Sequence, residues 1–277
     1  MTRRLIVQLT ALVLANPFPG NFLNGTLYRG SLKGFCVPFL NCFSCPAAVA
    51  SCPLGAIQNV LAAPFTRIPF YVVGFMVVVG ALAGRWVCGW LCPFGFIQEL
   101  MGRLSRFKKS IPPWLAWTTL TKYLLLILLF ILPVIWVDAS GYGSPYFCQF
   151  ICPKGTLSAG IPLILSDPGS YAPLVGTIFW VKIFILGAVL VGSILVNRPF
   201  CRLLCPLGAF WGLFNRFSFF RLHLEEVGCN SCGRCEKICP VDLQLPENRN
   251  SRECVRCLIC RDACPRGALS WGCNSGG

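Results

Sequence analysis

Two cysteine runs near the C-terminus carry the clearest chemical signal in this sequence. They read Cys229-x2-Cys232-x2-Cys235-x3-Cys239-Pro240 and Cys254-x2-Cys257-x2-Cys260-x3-Cys264-Pro265. In such a double run the first three thiolates hold one 4Fe-4S cubane and the fourth reaches across to the other. The spacing predicts cluster one on Cys229, Cys232, Cys235 and Cys264, and cluster two on Cys254, Cys257, Cys260 and Cys239. Zinc and disulfides are alternatives that the spacing disfavours.

A second motif, Cys-x3-Cys-Pro-x-Gly, occurs twice in the apolar part of the chain. It pairs Cys88 with Cys92 and Cys201 with Cys205. Positions i and i+4 share one helix face, and proline suits the first turn of the helix that follows. The two copies together supply the thiolates that a third cubane needs. The alternatives are a zinc site and small buried cysteines at tight helix junctions.

A third group of cysteines follows a looser version of this pattern. Cys148-x3-Cys152-Pro153 repeats the motif, whereas Cys45 and Cys52 are separated by six residues. We predict a fourth cluster on Cys45, Cys52, Cys148 and Cys152, with Cys42 or Cys36 as substitutes in the first pair. Disulfides are the rival in an oxidising exterior. Cys273 has no predicted role.

Apolar runs must position these motifs. Residues 68–84, 118–137 and 175–196 are long enough, or nearly so, to cross a hydrocarbon core of about 30 Å. The shorter run 5–18 is interpreted as a first span, with a signal peptide as the alternative. Composition agrees with a membrane protein, because the mean hydropathy is +0.66 and only 12% of the residues are charged.

Positive residues orient the spans, because cytoplasmic loops retain Lys and Arg. They concentrate between spans two and three and directly after span four: Arg85, Arg103, Arg106, Lys108, Lys109, Lys122, Arg198 and Arg202. Both termini are therefore predicted to be cytoplasmic, in a multi-pass protein of a bacterial inner membrane. The formal net charge of +14 has the same explanation, so nucleic acid is not a predicted partner.

An internal repeat relates the two halves of the apolar region. A shift of 113 residues brings Arg85 onto Arg198 and the first inner cysteine pair onto the second. Both copies follow outside-to-inside spans, so the halves share one orientation. We predict a mainly α membrane protein with four transmembrane helices over residues 1–220, in two pseudo-two-fold-related halves of about 1–110 and 111–220. A two-cluster ferredoxin domain occupies 221–277.

Lys182 lies about a third of the way into span four, where an ionisable residue is a functional candidate. Turned inward, it would stabilise a reduced outer cluster or bind a quinone oxygen. The alternative is that its side chain extends to the outer interface. The single histidine, His223, and the lack of a Cys-x2-Cys-His motif exclude bis-histidine and c-type haem.

These residues resemble those of the NapH-type membrane ferredoxins, which are related to the membrane portion of NosR and to MauN-like proteins. The resemblance rests on the predicted spans, the inner Cys-x3-Cys-Pro pairs and the two C-terminal runs. It implies electron transfer between the quinone pool or cytoplasmic donors and a periplasmic reductase, beside a companion iron–sulfur or cytochrome subunit. A component of a quinol dehydrogenase is one such role. The outer cysteines depart from the family pattern and suit a chain of redox centres that carries electrons across the membrane.

The leading hypothesis is an iron–sulfur electron-transfer subunit of a membrane redox complex, with 4Fe-4S clusters as cofactors. Its expected partners are other redox subunits, membrane lipid and a quinone. An iron–sulfur assembly or maturation protein is one alternative, and a redox sensor is another. The sequence has no obvious effector domain, which disfavours the sensor.

Overall fold

The computed structural model describes residues 2–63, 69–105, 113–138, 141–171, 173 and 175–273. Ile68, where the second predicted span begins, and the predicted cytoplasmic charges Arg106, Lys108 and Lys109 lie outside this part. The described chain is mostly helical. Its α-helices are α1 Thr2–Ala15, α2 Asn21–Asn24, α3 Pro53–Leu61, α4 Phe70–Ala83, α5 Trp86–Trp90, α6 Pro93–Gly102, α7 Thr121–Ile135, α8 Pro153–Gly155, α9 Ile161–Ser166, α10 Pro168–Tyr171, α11 Thr177–Leu195, α12 Pro199–Leu203, α13 Pro206–Phe214, α14 Arg234–Lys237 and α15 Ile259–Asp262.

Shorter helical turns and one ribbon complete the described chain. Ser31–Gly34 and Pro113–Leu120 are 3-10 turns, and Phe147–Ile151 and Thr156–Gly160 are π-helical. Strands β1, Phe220–Leu224, and β2, Leu269–Cys273, pair antiparallel with Phe220 opposite Cys273 and Leu224 opposite Leu269. The ribbon therefore joins the two ends of the segment that contains both C-terminal cysteine runs.

Among the residues that the structure describes, two helical stretches are long and apolar enough to cross a membrane: Trp117–Ile135 and Thr177–Leu195, each of 19 residues. They coincide with the predicted third and fourth spans. Their surfaces are largely exposed, with only 22% and 17% of each apolar window buried in the protein. An apolar helix with little of its surface covered by protein suits a lipid environment.

The first two predicted spans are shorter than expected. Helices α1 and α4 have 14 residues each, which corresponds to a rise of about 21 Å against a core of about 30 Å. Pro17 ends α1, because a residue that precedes proline disfavours the helical conformation, and α4 ends at Gly84, which has a φ of +54°. Of the four predicted spans, only three and four therefore correspond, within the described residues, to helices long enough to cross a membrane.

The helices of the two halves pack across one another. Helix α6 of the first half lies on α11, and α13 of the second half contacts α4 and α7. The core between them contains the fully buried Phe94, Phe200 and Trp211. Phe94 and Phe200 meet edge to face with ring centroids 5.2 Å apart, and Trp211 Nε1 donates to the Pro38 carbonyl at 3.2 Å. This core includes cysteines of both the inner motifs and the outer segments.

Candidate metal centres

The sequence contains five Cys-Pro-x-Gly segments, and the four that precede the C-terminal runs adopt the same local structure. The cysteine lies in an extended conformation directly before a helix, and proline is the first helical residue. This placement leaves the thiol at a helix N-terminus, where backbone N–H groups lack helical partners. In the last copy the Gly208 N–H donates to Cys205 Sγ at 3.4 Å. Proline and glycine in this motif therefore create a thiol that faces amide donors.

The two inner motifs come together into one buried site. We call its members, Cys88, Cys92, Cys201 and Cys205, the inner thiols; all are buried. Burial raises the pKa of Cys88 to about 12, Arg85 opposes the rise, and the nearby Cys92 and Cys201 add to it. Burial likewise raises the pKa of Cys205, with the other three inner thiols adding to the rise. The structure thus brings together the set predicted for the third cluster, and metal binding there must displace thiol protons.

Two arginines tie the halves together at the inner thiols. Arg85 Nη2 donates to the Cys201 carbonyl at 3.0 Å, and Arg198 Nη1 donates to the Cys88 carbonyl at 2.8 Å. Each arginine precedes its own cysteine by three residues and reaches the cysteine of the other half. Both side chains are fully buried. The 113-residue repeat therefore appears in the structure as a reciprocal pair of hydrogen bonds.

Carboxylates balance part of this positive charge. Glu99 pairs with Arg198 at 2.7 Å and also with Arg4. Glu253 pairs with Arg85 at 3.2 Å and also with Lys122 of α7. Burial favours a raised pKa for Glu253, but Arg85 and Lys122 outweigh it and hold the pKa below its usual value. Buried charges need such partners, because an unpaired one is strongly destabilising.

The C-terminal cysteines separate into the two crossed sets. Cys229, Cys232, Cys235 and Cys264 line one cavity of about 220 Å³. Cys239, Cys254, Cys257 and Cys260 line a second, of about 20 Å³. In each set, the last cysteine of one run joins the first three of the other. The structure thus groups these thiols as the crossed ligand assignment predicts.

The second C-terminal run is docked directly on the inner site. The Asn215 side chain donates to the Cys254 carbonyl at 2.7 Å, and Trp90 Nε1 donates to the Arg256 carbonyl at 3.1 Å. Arg256, fully buried, donates to the Ala83 carbonyl of α4 at 3.0 Å and to the Ser218 hydroxyl. Burial lowers the pKa of Arg256 to about 10. The set with Cys254 therefore faces the inner thiols.

The first C-terminal set lies on the exposed side of this unit. Cys232 is exposed, and Cys229, Cys235 and Cys264 are half-buried. In the second set Cys254 and Cys260 are buried. One predicted cluster site is therefore accessible to a soluble partner, and the other is enclosed against the helical region.

A third thiol group surrounds a cavity of about 420 Å³ among the outer segments, which we call the outer cavity. Its thiols, which we call the outer thiols, are Cys42, Cys52, Cys148 and Cys152. Burial raises the pKa of Cys52 to about 12, and Cys152 adds to the rise. Close packing of the segments is visible at Gly55 and Gly155, where a Cβ would lie 3.8 Å from Cys148 Sγ and 3.6 Å from Cys42 Sγ respectively.

Cys45 lies outside the outer cavity. Its Sγ contacts Asn16 Oδ1 at 3.7 Å, and it packs with Ala47 and Ala48 in a small cluster that Cys42 also contacts. Cys36 is half-buried, and its backbone forms a parallel bridge with Ser51. The structure therefore brings together three of the four predicted outer ligands around the cavity, with Cys42 as its fourth thiol. Cys45 does not line the cavity and packs against Cys42 from outside it.

Two lysines line the outer cavity. Lys182 turns toward it from α11, and its Nζ donates to the Cys148 carbonyl at 3.3 Å. Lys154, between the proline and glycine of the outer motif, is also buried against the cavity. Sequence reasoning identified Lys182 by its depth in an apolar run but missed Lys154. The position of Lys154 inside a Cys-Pro-x-Gly motif could have indicated that it lies beside the outer thiols.

Sequence reasoning also missed the role of the buried arginines. The sequence predicts Arg85 and Arg198 only as cytoplasmic charges and as part of the repeat. Their shared spacing of three residues before a cysteine was the signal that could have linked them to the inner thiols. Nothing local in the sequence pointed to the pairing of Lys122 with Glu253, since 131 residues separate them.

The donor sets fit cubane clusters. Within the described ranges, no three Cys, His, Asp or Glu side chains converge tightly enough to hold a single metal ion. Zinc draws its sulfur ligands to about 2.3 Å from one centre, whereas a cubane takes its four thiolates on four separate irons. The cysteines of the described chain are free thiols. Four thiols with adjacent cations suit an anionic cluster.

Comparison with protein families agrees with this interpretation. Residues 68–112, 123–166 and 178–225 match a family model described as a 4Fe-4S binding domain. The three matched segments each contain an apolar helix followed by a Cys-x3-Cys-Pro motif: Cys88 to Pro93, Cys148 to Pro153 and Cys201 to Pro206. The outer motif of the second half is thus matched by the same family model as both inner motifs.

Several curated proteins are similar over most of the chain. An uncharacterized protein of Methanocaldococcus jannaschii, MJ0750, is 34% identical over 199 residues, which cover 71% of this chain and 75% of the relative. The ferredoxin-type protein NapH of Escherichia coli is 26% identical over 68% of this chain and 62% of the relative. The regulatory protein NosR of Pseudomonas aeruginosa is 29% identical over 66% of this chain and 25% of the relative. No solved structure matches the chain.

Proposed function

This chain belongs to the NapH/NosR-like family of ferredoxin-type proteins with 4Fe-4S binding domains, and on that premise we propose that it is the iron–sulfur subunit of a membrane redox complex. It passes electrons between a cytoplasmic or quinone-pool partner and a partner in the membrane or at the opposite face. The 4Fe-4S clusters supply one-electron chemistry when bound. The protein supplies thiolates, fixed positions and compensating charge.

The observation that carries the proposal is the contact between the second C-terminal run and the inner thiols. The carbonyl of Cys254 accepts from Asn215, and Arg85, which donates to Cys201, also donates to the carbonyl of Arg252 at 2.7 Å. Two cluster-binding units therefore share hydrogen-bonding side chains. These contacts support a proposed route from the exposed first set, through the second set, to the inner thiols.

The proposal includes a multi-pass arrangement with both termini in the cytoplasm. Exposed apolar side chains cover α1 and α4 as well as the two long helices, for example Val13, Leu14, Phe70 and Val78. Such a surface is unfavourable in water and is expected in lipid. Short spans are accommodated when the bilayer thins or flanking charged residues extend to the interface. Residues 1–220 then form the membrane domain and 221–277 the ferredoxin domain.

The test begins with the full chain purified without oxygen. Iron and acid-labile sulfide are counted, and the clusters are resolved by EPR. Replacing either Cys92 or Cys205 with serine should remove about four irons per chain, since a cubane holds four irons and needs all its thiolates. Both C-terminal signals should persist. Cys273, exposed at the end of β2, provides the matched control, because Cys273→Ser should leave the iron content unchanged.

Iron and sulfide content also define the results that would contradict the proposal. Wild-type protein without labile sulfide would exclude an iron–sulfur carrier. Unchanged iron content in both Cys92→Ser and Cys205→Ser would instead return the inner thiols to small buried residues at helix junctions. A difference between the two variants would show that the halves do not share one cluster.

A further inference from the structure

We propose that the outer cavity is a fourth 4Fe-4S site held by the outer thiols, with Cys42 and not Cys45 as the remaining ligand of the first half. Lys154 and Lys182 act as positioning residues that compensate the charge of this site. The inference rests on the proposed function, since it assumes that the chain carries clusters. It deepens that function by extending the route of thiol sites to the outer segments.

The first step is ligand number. The outer cavity is lined by four cysteines, two from each half of the chain, and four thiolates complete a cubane. Each half contributes one cysteine of a Cys-Pro step, Cys52 or Cys152, and one cysteine earlier in the chain, Cys42 or Cys148. The inner thiols have the same composition. The longer Cys42-to-Cys52 spacing is accommodated by the loop that contains Cys45.

The second step is the placement of Cys42 relative to Cys45. A Cβ on Gly155 would lie 3.6 Å from Cys42 Sγ, and a Cβ on Gly55 would lie 3.8 Å from Cys148 Sγ. The glycine of each Cys-Pro-x-Gly motif thus lies against a cysteine of the opposite half that is not followed by proline: Gly155 against Cys42, and Gly55 against Cys148. Cys45 has no such contact in the described structure, and its thiol is directed toward Asn16. The reciprocal packing selects Cys42.

The third step is charge. A cubane with four thiolates is anionic, and an anion in a buried site requires compensating cations. The inner thiols have Arg85 and Arg198, one from each half. The outer thiols have Lys154 and Lys182, both from the second half. Lys182 reaches the Cys148 carbonyl, so its ammonium is held against the cavity.

A matched pair of variants tests the ligand assignment. Cys42→Ser should lose about four irons per chain, since one cubane holds four irons, and should lose one EPR signal. Cys45→Ser, three residues away, should retain wild-type iron. The C-terminal and inner signals serve as the folding control in both variants. Iron loss in Cys45→Ser with retention in Cys42→Ser would overturn the choice of Cys42, and retention in both would overturn the outer cluster.

Thiol labelling of the wild-type protein covers the case in which Cys42→Ser fails to fold. The outer thiols should resist maleimide until ferricyanide and EDTA remove iron, after which peptide mapping should find label on Cys42. Label that appears on Cys42 only after a reductant would show a disulfide and overturn the proposal. Label on Cys42 before iron removal would show that iron does not protect this thiol, and it would also overturn the proposal.

The role of the two lysines is tested by the midpoint potential of the outer cluster, because a residue with only a structural role would not change that potential. Lys154→Gln and Lys182→Gln should each shift the midpoint potential of the outer signal to more negative values, because a cation that favours the reduced cluster is removed. The potentials of the C-terminal clusters should not change. An unchanged outer potential in both variants would remove the lysines from the proposal. Absence of every cluster from the wild-type chain would count against the proposed function itself.

Discussion

At the scale of single residues, the buried Arg85 and Arg198 each donate to the carbonyl of a cysteine in the opposite half. Arg198 is fully buried and donates both to Glu99 at 2.8 Å and to the Cys88 carbonyl at 2.8 Å. The planar guanidinium of Arg198 therefore donates hydrogen bonds to a carboxylate and to a backbone carbonyl at the same time. A lysine offers a single charged point and cannot reproduce both contacts.

We expect Arg198→Gln to destabilise the protein by about 3–5 kcal/mol, the usual cost of removing one partner of a buried ion pair. Loss of the cation should also shift the midpoint potential of the inner cluster to more negative values. Thermal denaturation and EPR-monitored redox titration measure the two effects. Arg216, which is exposed, gives the control Arg216→Gln. Equal stability in the two variants would contradict the importance of the buried pair.

The crossed grouping of the C-terminal thiols leads to a second residue-scale prediction. Cys235 lies in the cavity of the first set, whereas Cys239, four residues later, lies in the cavity of the second. Cys235→Ser should therefore remove one EPR signal and Cys239→Ser the other. If both substitutions removed the same signal, the crossed assignment would be wrong.

At the scale of elements, the contact between α5 and the second C-terminal run depends on a glycine. A Cβ on Gly89 would lie 2.3 Å from the Val255 carbonyl oxygen, a distance that requires backbone displacement. Gly89 is next to Cys88, and Val255 is next to Cys254. The absence of a side chain thus lets the inner and second C-terminal sites approach closely.

Gly89→Ala should separate these two sites and weaken the magnetic interaction between their reduced clusters, measured as spin–spin broadening in EPR. Gly74 in α4 gives a matched control, because a Cβ there meets nothing within 4 Å. Gly74→Ala should leave the spectrum unchanged and favour the helix by about 1 kcal/mol. The same broadening in Gly89→Ala as in the wild type would show that the contact does not set the separation.

The sequence predicted some elements better than others for physical reasons. The runs 118–137 and 175–196 enclose Thr121–Ile135 and Thr177–Leu195 closely, since long apolar runs leave little choice of structure. The run 5–18 extended past Pro17, where the helical conformation is disfavoured. The choice between Cys42 and Cys45 could not be made from spacing, because a loop and not a helix connects them to Cys52.

The spacing of the C-terminal runs allows a full ligand assignment, because in a double run the position of each cysteine determines which cluster it serves. The crossed grouping of eight thiols appears in the two cavities without reference to any distant contact. The docking of this unit was not predictable. It depends on Asn215, Trp90 and Arg256, which are ordinary polar or aromatic residues in the sequence.

At the scale of the whole molecule, the proposed topology can be tested directly. A reporter fused after Gly277, and a second inserted near Ser140, should report cytoplasmic and external locations respectively. Both positions lie outside the described residues. The expected result follows from the positive charges that flank spans two to four. The reverse pattern would place the C-terminal clusters outside and contradict the proposed direction of the chain.

The buried Arg256 has a consequence for timing. Many carriers deliver electrons by swinging a domain between partners, and such motions take microseconds to milliseconds. Here the guanidinium is fully buried and bonded to carbonyl and hydroxyl oxygens of the helical region, so the C-terminal unit has no free rotation about a linker. In the proposed carrier, an electron therefore passes from the second C-terminal set to a cluster on the inner thiols without a diffusional search. The rate of electron transfer between sites of this chain should therefore not depend on solvent viscosity. Any viscosity dependence of turnover must arise where an external partner docks.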